Sequence, residues 1–385
     1  MKIFRKPIEI RSDTENHRQA TWIELFIDLA FVVGISRLGM IFESGFHWES
    51  LTNYGLLFLL IFWIWNRFTW YATMYDNDDV PYRLAYLLLV FPALGIISQL
   101  ESILEGDIFI ASLYYLFINC ILLYLWSRVL RRGTMLKNNA RSFFIGYALS
   151  TLLIFISLFV SGQLAFYLIG AGFILEFLGP ILGWYVSKSN VPLHSDHIIE
   201  RHGLFTIILL GESVVAIAAN FSESLTAETW FTLAGSYLII ICLWWMYFDC
   251  GYGFSANLSK RIKNVFEFGY GQFFVYLSIA LVGISLEYSL HHIHSDHVNG
   301  KFLPGQIVLF SISLFLIIMS TIQILISNEN PMRIYLPRYA VGVSLFVIGL
   351  FQFSNLNYLI IGLILMVLLT VNDVYQWGMQ ESNKY

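Results

Sequence analysis

The sequence is poor in charge and in cysteine. Only 12% of its 385 residues are charged and 57% are hydrophobic, whereas a soluble domain typically carries about 25% charge. The three cysteines, Cys120, Cys242 and Cys250, occur in or beside apolar stretches, so neither a disulfide framework nor a CxxC metal site is indicated. The net charge of -4 provides no broad basic surface, and nucleic acid is therefore excluded as an expected partner.

The short motifs typical of soluble enzymes are also missing. The sequence contains no GxSxG, no HExxH and no glycine-rich loop for phosphate. No cofactor is predicted and no catalytic residue is assigned, because a catalytic site would have to be assembled from separate helices. Residues 1–20 lack the apolar core and cleavage site of a signal peptide, so the first apolar stretch is expected to direct membrane insertion.

Long apolar stretches make up most of the chain. A transmembrane helix needs about 17 to 25 predominantly apolar residues, and the stretches are continuous rather than alternating as in a membrane barrel. We therefore predict an all-α integral membrane protein with about twelve transmembrane helices. The predicted spans are 21–41, 54–75, 83–101, 108–128, 143–161, 164–187, 202–221, 228–250, 265–289, 304–327, 337–353 and 356–377.

The distribution of Lys and Arg predicts the topology. Cytoplasmic segments of membrane proteins are enriched in these residues, and a cytoplasmic N-terminus puts most of them on that side. Both termini are therefore predicted to be cytoplasmic. The predicted organisation is a cytoplasmic segment at 1–20, two transmembrane halves at 21–187 and 188–377, and a cytoplasmic tail at 378–385.

Similar features in the two halves indicate two parallel six-helix repeats. The second span of each half ends in a related string, WIWNRF from Trp63 and WWMYFD from Trp244. The first span of each half carries a carboxylate, Asp28 or Glu212. Transporters built from parallel repeats bind their substrates between the halves, near the middle of the membrane.

Charged residues inside apolar spans mark the candidate site, because placing them in a membrane is costly. Four polar residues of the first span share the i, i+4, i+7, i+11 spacing of one helix face: His17, Thr21, Glu24 and Asp28. Carboxylates one turn apart repel each other, so one of them keeps its proton or a cation or arginine neutralises them. A structural ion pair with Arg67 or Arg201 is the alternative interpretation.

The predicted substrate or ion path combines these carboxylates with charges from other spans: Glu24, Asp28, Arg67, Arg201, Glu212 and Asp249. A secondary polar cluster is predicted near the cytoplasmic side: His197, Glu200, Asp79 and Arg83. His197 and Glu200 have the i, i+3 spacing found in carboxylate metal centres, but helix capping and ion pairing are the favoured interpretation. No metal site is therefore assigned.

Two further features receive a structural interpretation. Glu176 precedes Gly179 and Pro180, where a Gly or Pro break can free carbonyls to line a cavity, but a plain proline kink is favoured. The outer segment from His291 to His297 reads HHIHSDH, which is typical of a metal-binding or pH-sensing tract. Incidental weak metal binding is the favoured interpretation of this segment.

Three strings of the sequence resemble the signatures of the bacterial low temperature requirement A (LtrA) family. They are RQATWIELFIDLAFVVGI from Arg18, ERHGLFTIILLGESVVAIA from Glu200 and WWMYFD from Trp244. The resemblance implies a bacterial multi-pass plasma-membrane protein from a family named for a requirement during growth in the cold. It implies no reaction. It also implies a set of characteristic polar residues: Glu24, Asp28, Arg67, Asp79, Arg83, Glu200, Arg201, Glu212 and Asp249.

Three functional hypotheses remain open. The leading one is a transporter or channel-like protein for a small solute or ion, coupled to protons through the buried carboxylates. The second is a membrane-embedded enzyme acting on lipid or isoprenoid substrates, with His197 and Glu200 at its centre. The third is a non-catalytic sensor or scaffold whose charges fix helix packing. The expected partners are the lipid bilayer, a small solute or ion, and further copies of the chain in a homo-oligomer.

Overall fold

Long helices follow one another along the chain. The computed structural model describes residues 9–10, 20–42, 44–76, 78–132, 137–187, 195–221, 226–248, 262–292, 300–326, 332–351 and 357–382. The helices are α1 (Trp22–Leu38), α2 (Trp48–Met74), α3 (Val80–Ser98), α4 (Leu100–Leu104), α5 (Phe109–Arg132), α6 (Lys137–Ser157), α7 (Gln163–Ser187), α8 (Ser195–Ala218), α9 (Ala227–Phe248), α10 (Ile262–His291), α11 (Pro304–Ile326), α12 (Met332–Gly349) and α13 (Tyr358–Ser382). A 3-10 turn, Gly39–Phe42, follows α1, and two short strands, β1 (Glu9–Ile10) and β2 (Tyr75–Asp76), pair antiparallel.

Most of the helices have the length and composition of membrane spans. Within the described residues, nine helices are long and apolar enough to cross a membrane: α1, α3 and α5 to α11. The predicted class of all-α, multi-pass membrane protein is therefore confirmed. Each predicted span overlaps a helix, but α2, α12 and α13 are not among the nine. A total of twelve crossings and the duplication of six helices therefore stay predictions.

The helices group into two compact units. Unit 1 comprises Met1–Arg37 and Leu60–Ile198, and unit 2 comprises Leu38–Leu59 and Ile199–Tyr385. The chain enters unit 2 briefly after α1 and returns to unit 1 along α2. Consequently the first part of α2 belongs to unit 2 and its longer second part to unit 1.

The second part of α2 is the centre of unit 1. All residues from 61 to 75 are buried, and a helix that is buried all round lies inside a bundle. Gly34 of α1 makes room for it, because a Cβ there would lie 3.2 Å from Cδ1 of Ile61. The Tyr86 hydroxyl of α3 donates to the Phe68 carbonyl at 2.8 Å. This central position explains why α2 can carry polar side chains that lipid would not tolerate.

Helices α6 and α7 form an antiparallel hairpin with closely spaced backbones. A Cβ on Gly146 would lie 3.5 Å from Cα of Gly179. Further along, a Cβ on Gly172 would lie 3.1 Å from Oγ of Ser150. Small residues allow such close approach between membrane helices. The close contact brings Ser150 beside the next turn of α7, which carries Glu176.

In unit 2, α11 packs against both α10 and α12, and α9 packs against α13. The Gln306 side chain of α11 donates to the carbonyl of Gly349 at 2.9 Å, at the end of α12. Among the described glycines of unit 2, the closest approach to a backbone atom is at Gly235 of α9, where a Cβ would lie 2.3 Å from the backbone nitrogen of Leu359 in α13. Glycine at this position is therefore required by the contact with the backbone.

The connection between α1 and α2 is anchored within unit 2. The Phe46 carbonyl accepts hydrogen bonds from the backbone N–H groups of Lys301 and Phe302 at 2.9 and 3.0 Å. Gly300 has a φ of +134°, and a Cβ there would lie 2.7 Å from the nitrogen of Phe46. The Phe46 ring also packs on Tyr288, with centroids 5.1 Å apart. Residue 300, which precedes the two residues that bond to the Phe46 carbonyl, therefore has to be glycine.

Candidate functional site

A buried ion pair joins α2 and α7 inside unit 1. Nη1 of Arg67 lies 2.5 Å from Oε2 of Glu176, and neither side chain is exposed at all. Their hydrogen-bond partners come partly from α5 and α6, which, like α7, are long and apolar enough to cross a membrane. Removing two charges from water is costly, and their attraction compensates only when other hydrogen bonds satisfy the remaining atoms.

The Glu176 carboxylate is fully supplied with hydrogen bonds. Besides Arg67, four neutral groups donate to it from three helices: Trp63 at 3.3 Å, Tyr115 at 2.7 Å, Asn119 at 2.7 Å and Ser150 at 2.6 Å. Hydrogen bonds from several donors stabilise a carboxylate that is removed from solvent. Glu176 is therefore the centre of a hydrogen-bonded group in unit 1, and it is more than a residue beside a proline kink.

The Arg67 guanidinium is held from two directions. Its Nη1 also donates to Oδ1 of Asn119 at 2.7 Å. The rings of Tyr115 and Tyr147 lie over it, with centroids 4.8 and 5.8 Å from Cζ. Cation–π contacts of this kind stabilise a desolvated arginine. The sequence analysis placed Arg67 in the substrate or ion path and considered the carboxylates of α1 as its ion-pair partners. The structure shows that its partner is Glu176 of α7.

A second group of buried polar residues lies where α1, α2 and α8 meet within unit 1. Glu24 forms a capping box with Thr21 at the start of α1: the Thr21 N–H donates to Oε2 at 2.8 Å and the Glu24 N–H to Oγ1 at 3.4 Å. The same Oε2 lies 3.5 Å from Nε2 of His197. Nδ1 of His197 lies 3.4 Å from Oγ1 of Thr73. The Glu24 carboxylate, the His197 imidazole and the Thr73 hydroxyl thus neighbour one another in that order. Glu24 and His197 are fully buried.

Asp28 lies one turn further along α1, also on the face towards α2. Its Oδ1 accepts a hydrogen bond from Nε1 of Trp65 at 2.8 Å, and only 1% of the residue is exposed. Of the predicted polar stripe of the first span, Glu24 and Asp28 are buried, whereas His17 lies outside the described residues. The string WIWNRF supplies partners to both polar groups of unit 1, since Trp65 reaches Asp28 whereas Trp63 and Arg67 reach Glu176.

Asp79 and Arg83, both predicted in the secondary polar cluster, have different surroundings. Asp79 is the N-cap of α3, with Oδ1 accepting from the Tyr82 N–H at 3.0 Å, and Arg128 of α5 donates to its other oxygen. Asp79 is buried. Arg83 instead forms an exposed two-bond pair with Asp78, at 2.8 and 3.0 Å. Asp79 is therefore part of the interior of unit 1, while Arg83 points outwards.

The remaining predicted residues lie in unit 2. Arg201 is buried in α8, Glu200 is half-buried beside it, and Glu212 is half-buried three turns later. Glu212 is close enough to Glu287 of α10 for the two carboxylates to repel each other. His202, which the sequence did not single out, is fully buried in the same helix. These positions leave the predicted path residues divided between the two units.

His202 belongs to a polar cluster of unit 2 that sequence reasoning missed. Its Nδ1 lies 2.7 Å from the Tyr276 hydroxyl, which donates to the His202 carbonyl at 2.9 Å. The Tyr247 hydroxyl donates to Oε1 of Gln272 at 3.3 Å nearby. A signal was available, because His202 and Gln272 are polar residues within otherwise apolar spans.

Two further sequence predictions fall wholly or partly outside the described residues. Asp249, predicted in the path, lies just beyond the described end of α9. Of the outer histidine segment, only His291 and His292 are described, and Nε2 of His291 lies 4.0 Å from Glu287. Among the residues that the structure describes, no group of three His, Cys, Asp or Glu side chains is arranged to hold a metal ion. Metal binding by His197 and Glu200 therefore receives no geometric support there.

Comparison with known proteins assigns the chain to a family. The model of the bacterial low temperature requirement A protein family (LtrA) matches residues 19–371. The chain belongs to the LtrA family. The matched LtrA region starts just before α1 and ends within α13, so it contains every buried charge described above. The resemblance drawn from the three sequence strings is therefore confirmed.

A similar protein comes from Rhizobium meliloti (strain 1021). It is named Uncharacterized protein RA0937, and it is 24% identical over 301 residues, which cover 74% of this LtrA chain and 72% of that protein. No solved structure matches the chain. The comparisons thus support a membrane protein of the LtrA family, and neither of them names an activity.

Proposed function

We propose that this LtrA protein is a transporter or channel-like protein that moves a small solute or ion, with protons as the coupling ion. The observation that carries the proposal is the Arg67–Glu176 pair, whose side chains are fully buried beside helices long and apolar enough to cross a membrane. Ionisable groups in such positions usually line the route of a substrate, an ion or a proton. The proposed setting is the bacterial plasma membrane, with both termini in the cytoplasm.

Stability alone is a poor explanation for these charges. A buried ion pair often contributes no more than apolar side chains of similar volume would. Unit 1 nevertheless buries Glu24, Asp28, Asp79 and Glu176 together with Arg67 in a bundle of apolar helices, and the partly buried Arg128 pairs with Asp79. The cost of four buried carboxylates in one bundle favours a function that needs ionisable groups.

The order of the polar groups along α2 supports a path. Thr73 contacts His197 near the end of the helix, Trp65 reaches Asp28, and Arg67 and Trp63 reach Glu176. Six residues of α-helix between Arg67 and Thr73 correspond to about 9 Å along the axis. With the predicted topology, this series runs from the cytoplasmic end of unit 1 towards the middle of the membrane.

Each group has a proposed role. Glu24 and Asp28 exchange protons, because Glu24 lies 3.5 Å from the His197 imidazole and Asp28 accepts a hydrogen bond from Trp65 one turn further along the same helix face. Arg67 balances Glu176. Arg201, Glu212 and Asp249 are proposed to provide the corresponding groups of unit 2.

Proteoliposome flux tests the proposal. Wild type, Asp28→Asn and Glu212→Gln would be reconstituted at equal density, and internal pH would be followed after imposing ion or solute gradients. Both variants should insert normally but lose the pH response. Asp78→Asn is the matched control, because it removes an exposed carboxylate at the same end of the bundle. Full flux in both Asp28→Asn and Glu212→Gln would refute a transport role for these carboxylates.

A membrane-embedded enzyme acting on lipid or isoprenoid is a second candidate, which the line of Glu24, His197 and Thr73 favours. An imidazole between a carboxylate and a hydroxyl can serve as an acid or a base. On this alternative, His197→Gln should change the lipid profile of a cell to the same extent as deletion of the gene. An unchanged lipid profile in both strains would eliminate it.

A further inference from the structure

One edge of the Arg67 guanidinium has no protein partner among the described residues. A guanidinium has five N–H donors in a fixed plane. The two on Nη1 are used by Glu176 and Asn119. Nε and Nη2 are equally buried, yet neither has a hydrogen-bond partner in the described part of the chain. Three N–H donors of one buried cation therefore have no acceptor among the described residues.

The other parts of the guanidinium are in contact with protein groups. The rings of Tyr115 and Tyr147 cover the guanidinium, with centroids 4.8 and 5.8 Å from Cζ. Glu176 and Asn119 occupy the Nη1 end. Nε–H and one N–H of Nη2 run parallel in a guanidinium, forming the fork that binds two oxygens of a carboxylate or phosphate group.

Glu176 accepts hydrogen bonds from several groups besides Arg67. Its carboxylate receives hydrogen bonds from Trp63, Tyr115, Asn119 and Ser150 in addition to the arginine. Neutral donors of this kind stabilise a carboxylate by themselves. Glu176 therefore does not depend on the Nε–Nη2 edge of Arg67, and unmade hydrogen bonds on a buried cation are costly enough to favour a further acceptor at that edge.

We propose that the Nε–Nη2 edge of Arg67 is a binding site for a small oxyanion, a carboxylate or phosphate group, held by two parallel hydrogen bonds within unit 1. As an identification of the transported substrate class, the inference rests on the proposed transport function. As a binding site, it can be measured without any flux.

The test is equilibrium binding to the full-length protein in lipid nanodiscs. Acetate and inorganic phosphate are the probes, and chloride at equal ionic strength is the comparison, since a spherical ion is a single acceptor and cannot make the two parallel hydrogen bonds that two oxygens make. A ligand of the folded state raises the thermal midpoint by mass action. Acetate, phosphate or both should raise the wild-type midpoint beyond the chloride value, and the stronger of the two identifies the class of oxyanion.

Two variants locate the site. Arg67→Lys keeps the positive charge but has no planar fork, and it should bind the preferred probe at least tenfold more weakly. Arg37→Lys is the matched control, because Arg37 is an exposed arginine paired with Glu101, and its affinity should equal that of wild type. If Arg67→Lys does not fold, Glu176→Gln should bind the probe more tightly than wild type, which general structural damage cannot produce.

Several results would overturn the inference. Equal midpoints in acetate, phosphate and chloride would mean that water occupies the edge. Equal affinity of wild type and Arg67→Lys, or weaker binding by Glu176→Gln, would put the oxyanion elsewhere. Oxyanion binding without flux would refute the transport function and leave the site intact, whereas flux without oxyanion binding would refute the site alone.

Discussion

Replacing Glu176 by glutamine removes the negative charge beside Arg67 while preserving the shape of the side chain. The wild-type carboxylate accepts five hydrogen bonds, one of them from Arg67. Glutamine keeps one acceptor oxygen, but its NH2 group replaces the other oxygen and faces the N–H or O–H groups that donated to it. Arg67 then remains as a buried cation without its ionic partner.

The expected cost follows from this geometry. Removing one partner of a buried ion pair destabilises a protein by about 3–5 kcal/mol, because the other charge is left without compensation. Both side chains of the Arg67–Glu176 pair are completely buried, so solvent screening does not reduce the effect. Glu176→Gln should therefore lower the free energy of unfolding by roughly this amount.

The assay is equilibrium unfolding in mixed detergent micelles, with Glu101→Gln as the matched control. Glu101 also pairs with an arginine, Arg37, at 3.2 Å, but both side chains are largely exposed, and such pairs contribute less than about 1 kcal/mol. Adding Arg67→Met to Glu176→Gln should recover part of the loss, because the uncompensated charge is gone. Equal effects of Glu176→Gln and Glu101→Gln would refute the reasoning.

Two further pairs of substitutions test helix packing in unit 2 and the α3 cap with its ion pair in unit 1. Gly235→Ala should destabilise unit 2 by about 1–3 kcal/mol, because its Cβ would lie 2.3 Å from the nitrogen of Leu359; Gly211→Ala, with open space around it, should be neutral or stabilising in the same unfolding assay. Asp79→Ala should cost about 2–4 kcal/mol through loss of the α3 cap and of the partner of Arg128, whereas Asp79→Asn, which keeps a capping oxygen, should cost measurably less. Equal thermal midpoints within either pair would contradict these explanations.

The membrane class and the helix positions could be predicted because hydropathy is a local property. Each predicted span overlaps a helix, and the buried carboxylates Glu24 and Asp28 follow from their spacing. Helix ends were less accurate. Helix α2 begins at Trp48, six residues before its predicted span, because a polar first turn is compatible with helix but not with lipid. Hydropathy marks the part of a helix that lipid surrounds and not the whole helix.

The sequence alone did not identify Glu176 as the ion-pair partner of Arg67. Arg67 and Glu176 are 109 residues apart and meet only because α2 and α7 pack together. A clue was present, since Glu176 is a carboxylate inside an apolar span and needs compensation there. The adjacent Gly179 and Pro180 favoured an explanation by a kink instead. Helix pairing depends on three-dimensional packing, for which a single sequence gives little information.

The central claim is that the buried carboxylates of unit 1 serve transport and not packing, and Asp28 tests it most directly. Asparagine at this position keeps an oxygen for the Trp65 N–H, which lies 2.8 Å from Asp28 in wild type, but it cannot exchange a proton. The measurement is the current evoked by a pH jump across wild-type and Asp28→Asn proteoliposomes on a solid support. The account predicts a current for wild type and none for Asp28→Asn at an unchanged thermal midpoint. Equal currents in the two preparations would contradict it.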